Sequence, residues 1–503
     1  MRRVGAGAVS GLLVLLAAAG ASAHGRFPAA NEILFSPSNP ALIVTRTTFA
    51  LLPSTDEGAT WSYLCLESLG LSALTYQDPE IAFTANGTLV AGMAGKVNGL
   101  DVSSDVGCSW TCAGGPLAGQ TIVDTLVRPD RPHHVVVLAS TLVDGSDDTQ
   151  VFESADDGTT FVAHGAPLDP TVLVTGLEVS ASDPTRLYVS GVRGYGAQRT
   201  ASLFTWTDGD AAAGWAEHPV PDFTMAGGES SIFMGGVDPS DPDRVYLRSQ
   251  GNLEGGLSRL YVTTDGGVTI RAAKDFAVDA GTISAVSGEL LGFALSPDGS
   301  RVFVGTRESG LWSASRTDLA FSLVNPQVGV QCLATRQTPS GPELWACGIE
   351  YKGPPGNPGN FIVGRSVDDG VTFDVKLPTL TSFKGISQCP APSSGSMACE
   401  VQSSVSCGCD DYVSFCSTTE ATNSCLGCGM VDDDAGADDA GPADSGAGEA
   451  GIPADAGKAP RTGVASSSGC NVVGSKGDAS EAAIALGFAA AVFARKREKK
   501  GGK

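Results

Sequence analysis

Apolar residues along this chain come in short runs bounded by turn signals. Arg131-Pro132-His-His-Val-Val-Val137, Asp183-Pro184-Thr-Arg-Leu-Tyr-Val189 and Asp241-Pro242-Asp-Arg-Val-Tyr-Leu247 share one design, and Asn39-Pro40-Ala-Leu-Ile-Val44 and Pro297-Asp-Gly299-Ser-Arg-Val-Phe-Val304 repeat it. Proline presets one turn dihedral, and Asp or Asn closes the turn on its own backbone. The β-branched and aromatic residues that follow suit a pleated surface, so each run predicts the second arm of a hairpin. Between Ala30 and Leu377 no apolar period of 3.6 residues is sustained, which excludes helical repeats.

A second pattern follows each run. It reads Ser54-Thr-Asp56-Glu-Gly58-Ala-Thr60-Trp61, Ser103-Ser-Asp105-Val-Gly107-Cys-Ser109-Trp110 and Ser154-Ala-Asp156-Asp-Gly158-Thr-Thr160-Phe161. It returns as Thr263-Thr-Asp265-Gly-Gly267-Val-Thr269-Ile270 and Ser366-Val-Asp368-Asp-Gly370-Val-Thr372-Phe373, with worn versions around Thr205–Trp215 and Ser313–Phe321. The starts fall roughly fifty residues apart, a period that marks a repeat architecture. Four short antiparallel strands per period, radially repeated, make a β-propeller blade. The fold expected is all-β, a propeller of seven four-stranded blades. In each phrase the Asp side chain is expected to accept from backbone N–H groups two or three residues on, and the Gly to supply a positive φ. Trp61, Trp110, Phe161 and Phe373 then open the outer strand and can wedge between blades.

The phrase resembles the Asp-box (BNR) repeat of sialidases, sortilin-type receptors, some xyloglucanases and a photosystem assembly factor. In those families the box is structural and remote from the ligand face. The resemblance therefore assigns Asp56, Gly58, Asp105, Gly107, Asp156, Gly158, Asp265, Gly267, Asp368 and Gly370 to turn-building.

The ends of the chain suggest export. Arg2 and Arg3, an apolar run from Val9 to Ala19, and Ala21-Ser22-Ala23 form a secretory signal peptide over residues 1–23. Residues 24–385 then hold the propeller and 386–428 a Cys-rich disulfide module or ring-closing strands. Residues 429–468, rich in Asp, Ala and Gly, make a disordered acidic tether. Residues 469–503 carry Cys470, a short apolar helix from Ala482 to Ala494, and the basic cluster Arg495–Lys500. That order resembles the C-terminal sorting tail of myxobacterial surface proteins (the MYXO-CTERM type), which implies anchoring or processing at Cys470. The expected location is the cell surface or outer membrane, or the medium after processing, with membrane contact only through the tail.

Thirteen cysteines fit an oxidising compartment. Cys332 with Cys347, and Cys389 with Cys399, flank hairpin signals, so each pair can form a hairpin disulfide. Cys65, Cys108 and Cys112 lie near the first two phrases, where a bridge between adjacent blades is plausible. Cys407, Cys409, Cys416, Cys425 and Cys428 follow, and disulfides are favoured over zinc for them.

A formal net charge of −23 argues against nucleic acid as a partner. Arg26, in Gly25-Arg26-Phe27-Pro28, is similar to the first arginine of sialidases, yet neither the other two arginines nor the Tyr–Glu pair is assignable. His24 would lead the mature chain, but an ordinary exposed residue is favoured there over a copper brace. No catalytic, cofactor-binding or metal-ligating residue is assigned, and no cofactor is implied. The leading expectation is a monomeric, non-catalytic binding module for a protein or glycan, with the long stretches Gly191–Arg199, Met225–Phe233 and Tyr351–Asn360 at its binding face. The alternative is a glycoside hydrolase, sialidase-like or other, using propeller-face carboxylates. A convergent carboxylate cluster with perturbed ionisation would favour that alternative.

Overall fold

The structure is a computed structural model. It describes residues 29–390 apart from positions 49, 70–77, 95–98, 144–145, 195–197, 210–213, 224–228, 252–256, 277–288, 308, 350–358, 381, 386 and 388. The signal peptide, Arg26, His24, most of the Cys-rich region, the tether and the tail with Cys470 lie outside the described residues.

Seven four-stranded antiparallel sheets follow one another along the chain, each built from four consecutive strands. Blade 1 holds β1 (Ala30–Phe35), β2 (Ile43–Thr47), β3 (Ala50–Ser54) and β4 (Leu64–Cys65). Blade 2 holds β5 (Glu80–Phe83), β6 (Leu89–Met93), β7 (Gly99–Ser103) and β8 (Thr111–Cys112). In blade 3 come β9 (Thr121–Val127), β10 (Val135–Val143), β11 (Ser146–Ser154) and β12 (Val162–His164). Blade 4 is β13 (Val172–Val179), β14 (Arg186–Arg193), β15 (Thr200–Thr207) and β16 (Ala216–Pro219). Blade 5 is β17 (Glu229–Asp238), β18 (Asp241–Gly251), β19 (Ser258–Thr263) and β20 (Arg271–Phe276). Blade 6 runs β21 (Leu290–Leu295), β22 (Arg301–Thr306), β23 (Gly310–Ser315) and β24 (Ser322–Asn325). Blade 7 ends the series with β25 (Val330–Thr338), β26 (Gly341–Gly348), β27 (Val363–Ser366) and β28 (Asp374–Leu377).

The first strands of the blades contact one another in a closed cycle, β1–β5–β9–β13–β17–β21–β25 and back to β1. They therefore line the axis of a seven-bladed β-propeller. Seven buried apolar clusters fill the seven seams between sheets. Burying both faces of every sheet explains why the runs read as nearly continuous β-branched and aromatic residues. The expected wedges are present: Trp61 of blade 1 is 2 % exposed among blade 7 residues and donates its Nε1–H to the Lys376 carbonyl at 3.1 Å. Trp110 closes the seam between blades 1 and 2, and Phe161 the seam between blades 2 and 3.

The Asp phrases form the turns between the third and fourth strands of their blades. Their hydrogen bonding differs from the expectation in one respect: the carboxylate reaches four residues on, not two or three. Asp56 Oδ1 accepts the Thr60 N–H at 2.8 Å and Oδ2 the Thr60 hydroxyl at 2.7 Å, while Ser54 Oγ accepts the Gly58 N–H at 2.9 Å. Asp156, Asp265 and Asp368 repeat this set, and Asp105 repeats its backbone part. Two successive residues take the left-handed conformation, Glu57 at φ 57° and Gly58 at φ 80°. Glycine is required at the second, since a Cβ on Gly107 would lie 2.4 Å from Leu64 of blade 1.

The ring is closed without strand exchange, since blades 1 and 7 are each made of one continuous stretch. Closure comes from the Trp61 seam and from a strap that follows β28. Lys384 N–H donates to the Trp61 carbonyl, Tyr63 N–H to the Gly385 carbonyl and Ser387 N–H to the Tyr63 carbonyl. Cys389 at the end of the strap is disulfide-bonded to Cys108 in the blade 2 turn, 281 residues away in sequence. That corrects the expected hairpin pairing of Cys389 with Cys399. Cys332–Cys347 forms as expected, between residues directly opposite each other in β25 and β26.

Candidate active site

Antiparallel order places the β1–β2 and β3–β4 type connections at one rim of the ring, and the second-to-third and blade-to-blade connections at the other. The strands on either side of the longest sequence gaps, β20 and β21 and then β26 and β27, meet that second rim. The stretches expected to form a binding face reach that rim only in part. Gly191–Arg193 ends β14 and Glu229–Phe233 opens β17, while 351–358 lie outside the described residues.

The innermost strands share a feature the sequence did not announce. In β1, β9, β13, β21 and β25 one residue is bulged out of register with the second strand: Asn31, Val123, Thr175, Leu291 and Gln331. Bulges re-aim the side chain that follows and are frequent beside functional sites. The next residue is Glu32 in β1 and Asp124 in β9, opposite Arg46 and Leu138. In blade 2, Glu80 opens β5 at the same register, opposite Gly92. Three neighbouring blades thus present a carboxylate at one level of the axis, where blades 4, 6 and 7 present Gly176, Gly292 and Cys332. Glu178 on β13 adds a fourth carboxylate, two residues further along its strand.

Arg46 ties two of these groups together. Its Nε lies 3.1 Å from Glu32 Oε2 and its Nη1 3.3 Å from Glu80 Oε1. The same Nη1 donates to the Pro79 carbonyl at 2.9 Å. Among the described residues no cation lies within ion-pair distance of Asp124, though Arg46 acts on it from further away. Asp124 accepts the Leu177 N–H on Oδ2 at 2.7 Å and the Thr125 N–H on Oδ1 at 2.8 Å. At the bulge itself, Asn31 donates to Asp78 Oδ2 at 2.9 Å.

Enclosure dominates the ionisation of this cluster. Burial pushes Glu32 up to about 8 against the attraction of Arg46, with Glu80 and Asp124 adding repulsion. Burial and the charge of Glu80 raise Asp124 to about 7 in spite of its two backbone hydrogen bonds. Burial, then Asp124, raise Glu178 to about 8. Glu32 and Glu80 still keep 30 % and 34 % of their side-chain surface. Groups surrounded by protein retain such surface where they face the axial channel, so they are at once poorly solvated and reachable. The strand interiors of blades 5 and 6 are different in kind. Ser230–Val237 and Leu290–Leu295 carry no charge, and Met234, Phe293 and Leu295 are partly exposed there. The innermost strands therefore carry an acidic arc on blades 1–4 and uncharged spans on blades 5 and 6, beside which Arg248 of β18 donates to the Leu290 carbonyl at 3.2 Å.

The residues singled out in the sequence lie elsewhere. The five turn aspartates sit between third and fourth strands, away from the axis, and are not brought together with one another or with the cluster. A Tyr–Glu pair of the type sialidases need does exist: the Tyr261 hydroxyl donates to Glu229 Oε1 at 2.6 Å, beside Arg259. Both residues are fully buried within the blades, so the tyrosine faces no ligand. Glu32, Glu80, Asp124, Glu178 and Arg46 escaped notice, although a signal was present. Ile122-Val-Asp124-Thr-Leu-Val127 and Leu177-Glu178-Val179 each place a lone acid inside an apolar β run. Among the described residues no group of His, Cys, Asp and Glu is arranged to hold a metal ion.

No family model matches the chain. A curated protein of Neosartorya fischeri, named "Probable oligoxyloglucan-reducing end-specific xyloglucanase", is 30 % identical over 139 residues, which cover 25 % of this chain and 16 % of that protein. The chain thus matches about a sixth of the length of that relative. Among solved structures, the Niastella koreensis GH74 enzyme is 17 % identical with a TM-score of 0.40, covering 71 % of this chain and 60 % of that one. The Dos1 propeller is 10 % identical with a TM-score of 0.42, covering 71 % and 81 %. Similarity at this level assigns no activity.

Proposed function

We propose that the chain is a glycoside hydrolase whose reaction centre is the acidic arc of the propeller channel. This is the alternative weighed from the sequence, and one observation moves it ahead of the non-catalytic binder. Several carboxyl groups converge on the axis and are held near or above neutral ionisation while still facing the channel. Glycoside hydrolysis needs a proton delivered to the glycosidic oxygen as the C–O bond breaks, and an ionised carboxylate facing the sugar. Asp124, raised to about 7, is matched to the first role because a general acid works best near the ambient pH. Glu80, paired with Arg46, is matched to the second. The partly exposed Met234 and Phe293, on the uncharged strands opposite, suit the flat face of a sugar ring. The short likeness to a xyloglucanase makes a β-glucan of the xyloglucan type the first substrate to try.

The test is release of reducing ends from a panel of xyloglucan and related β-glucans. Asp124→Asn is expected to lower the rate by about 10²–10⁴-fold, with a circular dichroism spectrum like that of the parent. Tight binding without turnover by the parent protein would return the binding-module reading to first place.

A further inference from the structure

The carboxylates of the acidic arc are partnered unequally, and the inequality has one source. Glu32, Glu80 and Asp124 occupy one register level on three successive blades, yet among the described residues a guanidinium lies within ion-pair distance of only the first two. The residue opposite Glu32 is Arg46, whereas the residues opposite Glu80 and Asp124 are Gly92 and Leu138. A side chain at Gly92 is excluded, because its Cβ would lie 2.3 Å from Ile122 and 2.7 Å from the Thr125 hydroxyl. Position 92 is thus closed to a cation, whereas the corresponding position 46 carries one.

We propose, resting on the reading of this cluster as a reaction centre, that Arg46 is its positioning residue: on one guanidinium across the seam it holds Glu32 by charge and Glu80 by a hydrogen bond, and so fixes where the two carboxylates stand at the axis. Nε lies 3.1 Å from Glu32 Oε2 with no hydrogen bond between them, so that contact is one of charge, while Nη1 donates to Glu80 Oε1 at 3.3 Å and to the Pro79 carbonyl at 2.9 Å. A lysine carries the same charge at a single point and cannot keep the Glu32 contact together with both blade 2 acceptors in these directions. Asp78 also faces the guanidinium, and Asn31 at the bulge holds Asp78 in place. Arg46 is 11 % exposed, so little water is available to substitute for it.

Arg46→Lys and Arg46→Met separate span from charge. Rates on the β-glucan substrate should fall about tenfold or more for the lysine variant through kcat, as expected when carboxylate orientation is lost and charge is kept. In Arg46→Met the acid limb of the pH–rate profile should also move up by about one unit or more, because an opposite charge has gone. A carboxyl carbon NMR titration gives a readout independent of activity: the Glu32 midpoint should rise by about one unit or more in Arg46→Met. If the parent protein releases no sugar but this midpoint still moves, the hydrolase reading fails while the grip of Arg46 stands. A structural role alone would lower thermal stability and leave the midpoint and the pH profile unmoved, which would overturn the proposal. Should Arg46→Met not fold, Arg46→Gln replaces it, with the same rise in the Glu32 midpoint expected and an unmoved midpoint overturning the proposal.

Discussion

Asp265 in an outer turn accepts the hydroxyl and backbone N–H of Thr269 and the hydroxyl of Thr263, and those hydrogen bonds hold it below the ordinary carboxylate range. Asp124 on an innermost strand also accepts two backbone N–H groups, yet it rises to about 7. One donor fewer does not by itself turn a lowered group into a raised one, since the two backbone bonds of Asp124 also act to lower it. Surroundings do: Asp265 lies at the surface, while Asp124 is enclosed and shares its space with Glu80 and Glu178. The outer aspartates spend their charge on shaping turns, and the inner carboxylates keep theirs unresolved. Outer chemistry should therefore govern whether the ring holds together, and inner chemistry how the channel responds to protons.

The largest expected effect tests the outer half of that statement. The Cys108–Cys389 bond ties the strap to blade 2 across 281 residues, and Cys332–Cys347 closes only 15. Chain-entropy reasoning gives about 3 kcal/mol for the short loop and up to about 5 for the long one. Cys108→Ser should thus lower unfolding free energy more than Cys332→Ser, as measured by denaturant titration under non-reducing conditions. If both cost the same, the strap does not hold the ring closed.

A smaller and sharper test sets Glu178 against Asp265. Glu178 is raised, so the folded state binds its proton more tightly than the unfolded chain. Stability from this group is greatest at low pH and is lost as pH climbs from the unfolded value to about 8. Glu178→Gln removes that loss, so the variant should gain on the parent by about 1–2 kcal/mol between pH 5 and pH 9. Asp265 is lowered, and its contribution is present above the unfolded value and lost as pH falls. Asp265→Asn should therefore be the less stable protein at pH 7, by a difference that solvent at this exposed turn keeps to about a few tenths of a kcal/mol, with the gap closing as pH falls through the carboxylate range. Thermal melts across pH read both. Parallel curves for either pair would break the contrast.

Much of the ring was legible because each blade repeats the same local chemistry. Pro-turns, β runs and Asp phrases all recur, and the wedge role of Trp61 follows from an aromatic placed just past a turn. The strap was not legible, since Cys389 pairs with a residue brought near only by ring closure. The carboxylate cluster was hidden for a related reason. Glu32, Glu80, Asp124 and Glu178 belong to four separate blades, and only the bulges and the closed cycle of first strands bring them to one axis. A lone acid in an apolar run, as at Asp124, marks a position worth attention but not its neighbours.

The smallest effect concerns a seam where inner and outer chemistry meet. His164 at the end of β12 places Nδ1 2.9 Å from Glu153 of its own blade and Nε2 2.8 Å from Asp208 of blade 4. Glu153 also faces His134 at 2.7 Å and buried Arg128, whose guanidinium reaches the Pro184 carbonyl of blade 4. The hydrogen bond that His164 donates to Glu153 raises the pKa of the histidine, against the cost of burial and with help from Asp208. Burial would raise Glu153 itself, but its histidine and arginine partners bring it down to about 2, so it stays ionised across the working range. A raised histidine contributes stability that is full below its unfolded value and is lost as pH rises through its folded one. Solvent at this partly open seam limits the contribution to roughly 1 kcal/mol or less. His164→Gln should therefore melt below the parent at pH 6 and converge with it by pH 9, while Glu178→Gln diverges from the parent over the same range. Convergence of one pair and divergence of the other, in a single set of melts, requires that bridging cations hold the blade 3–4 seam while enclosed acids strain the axis.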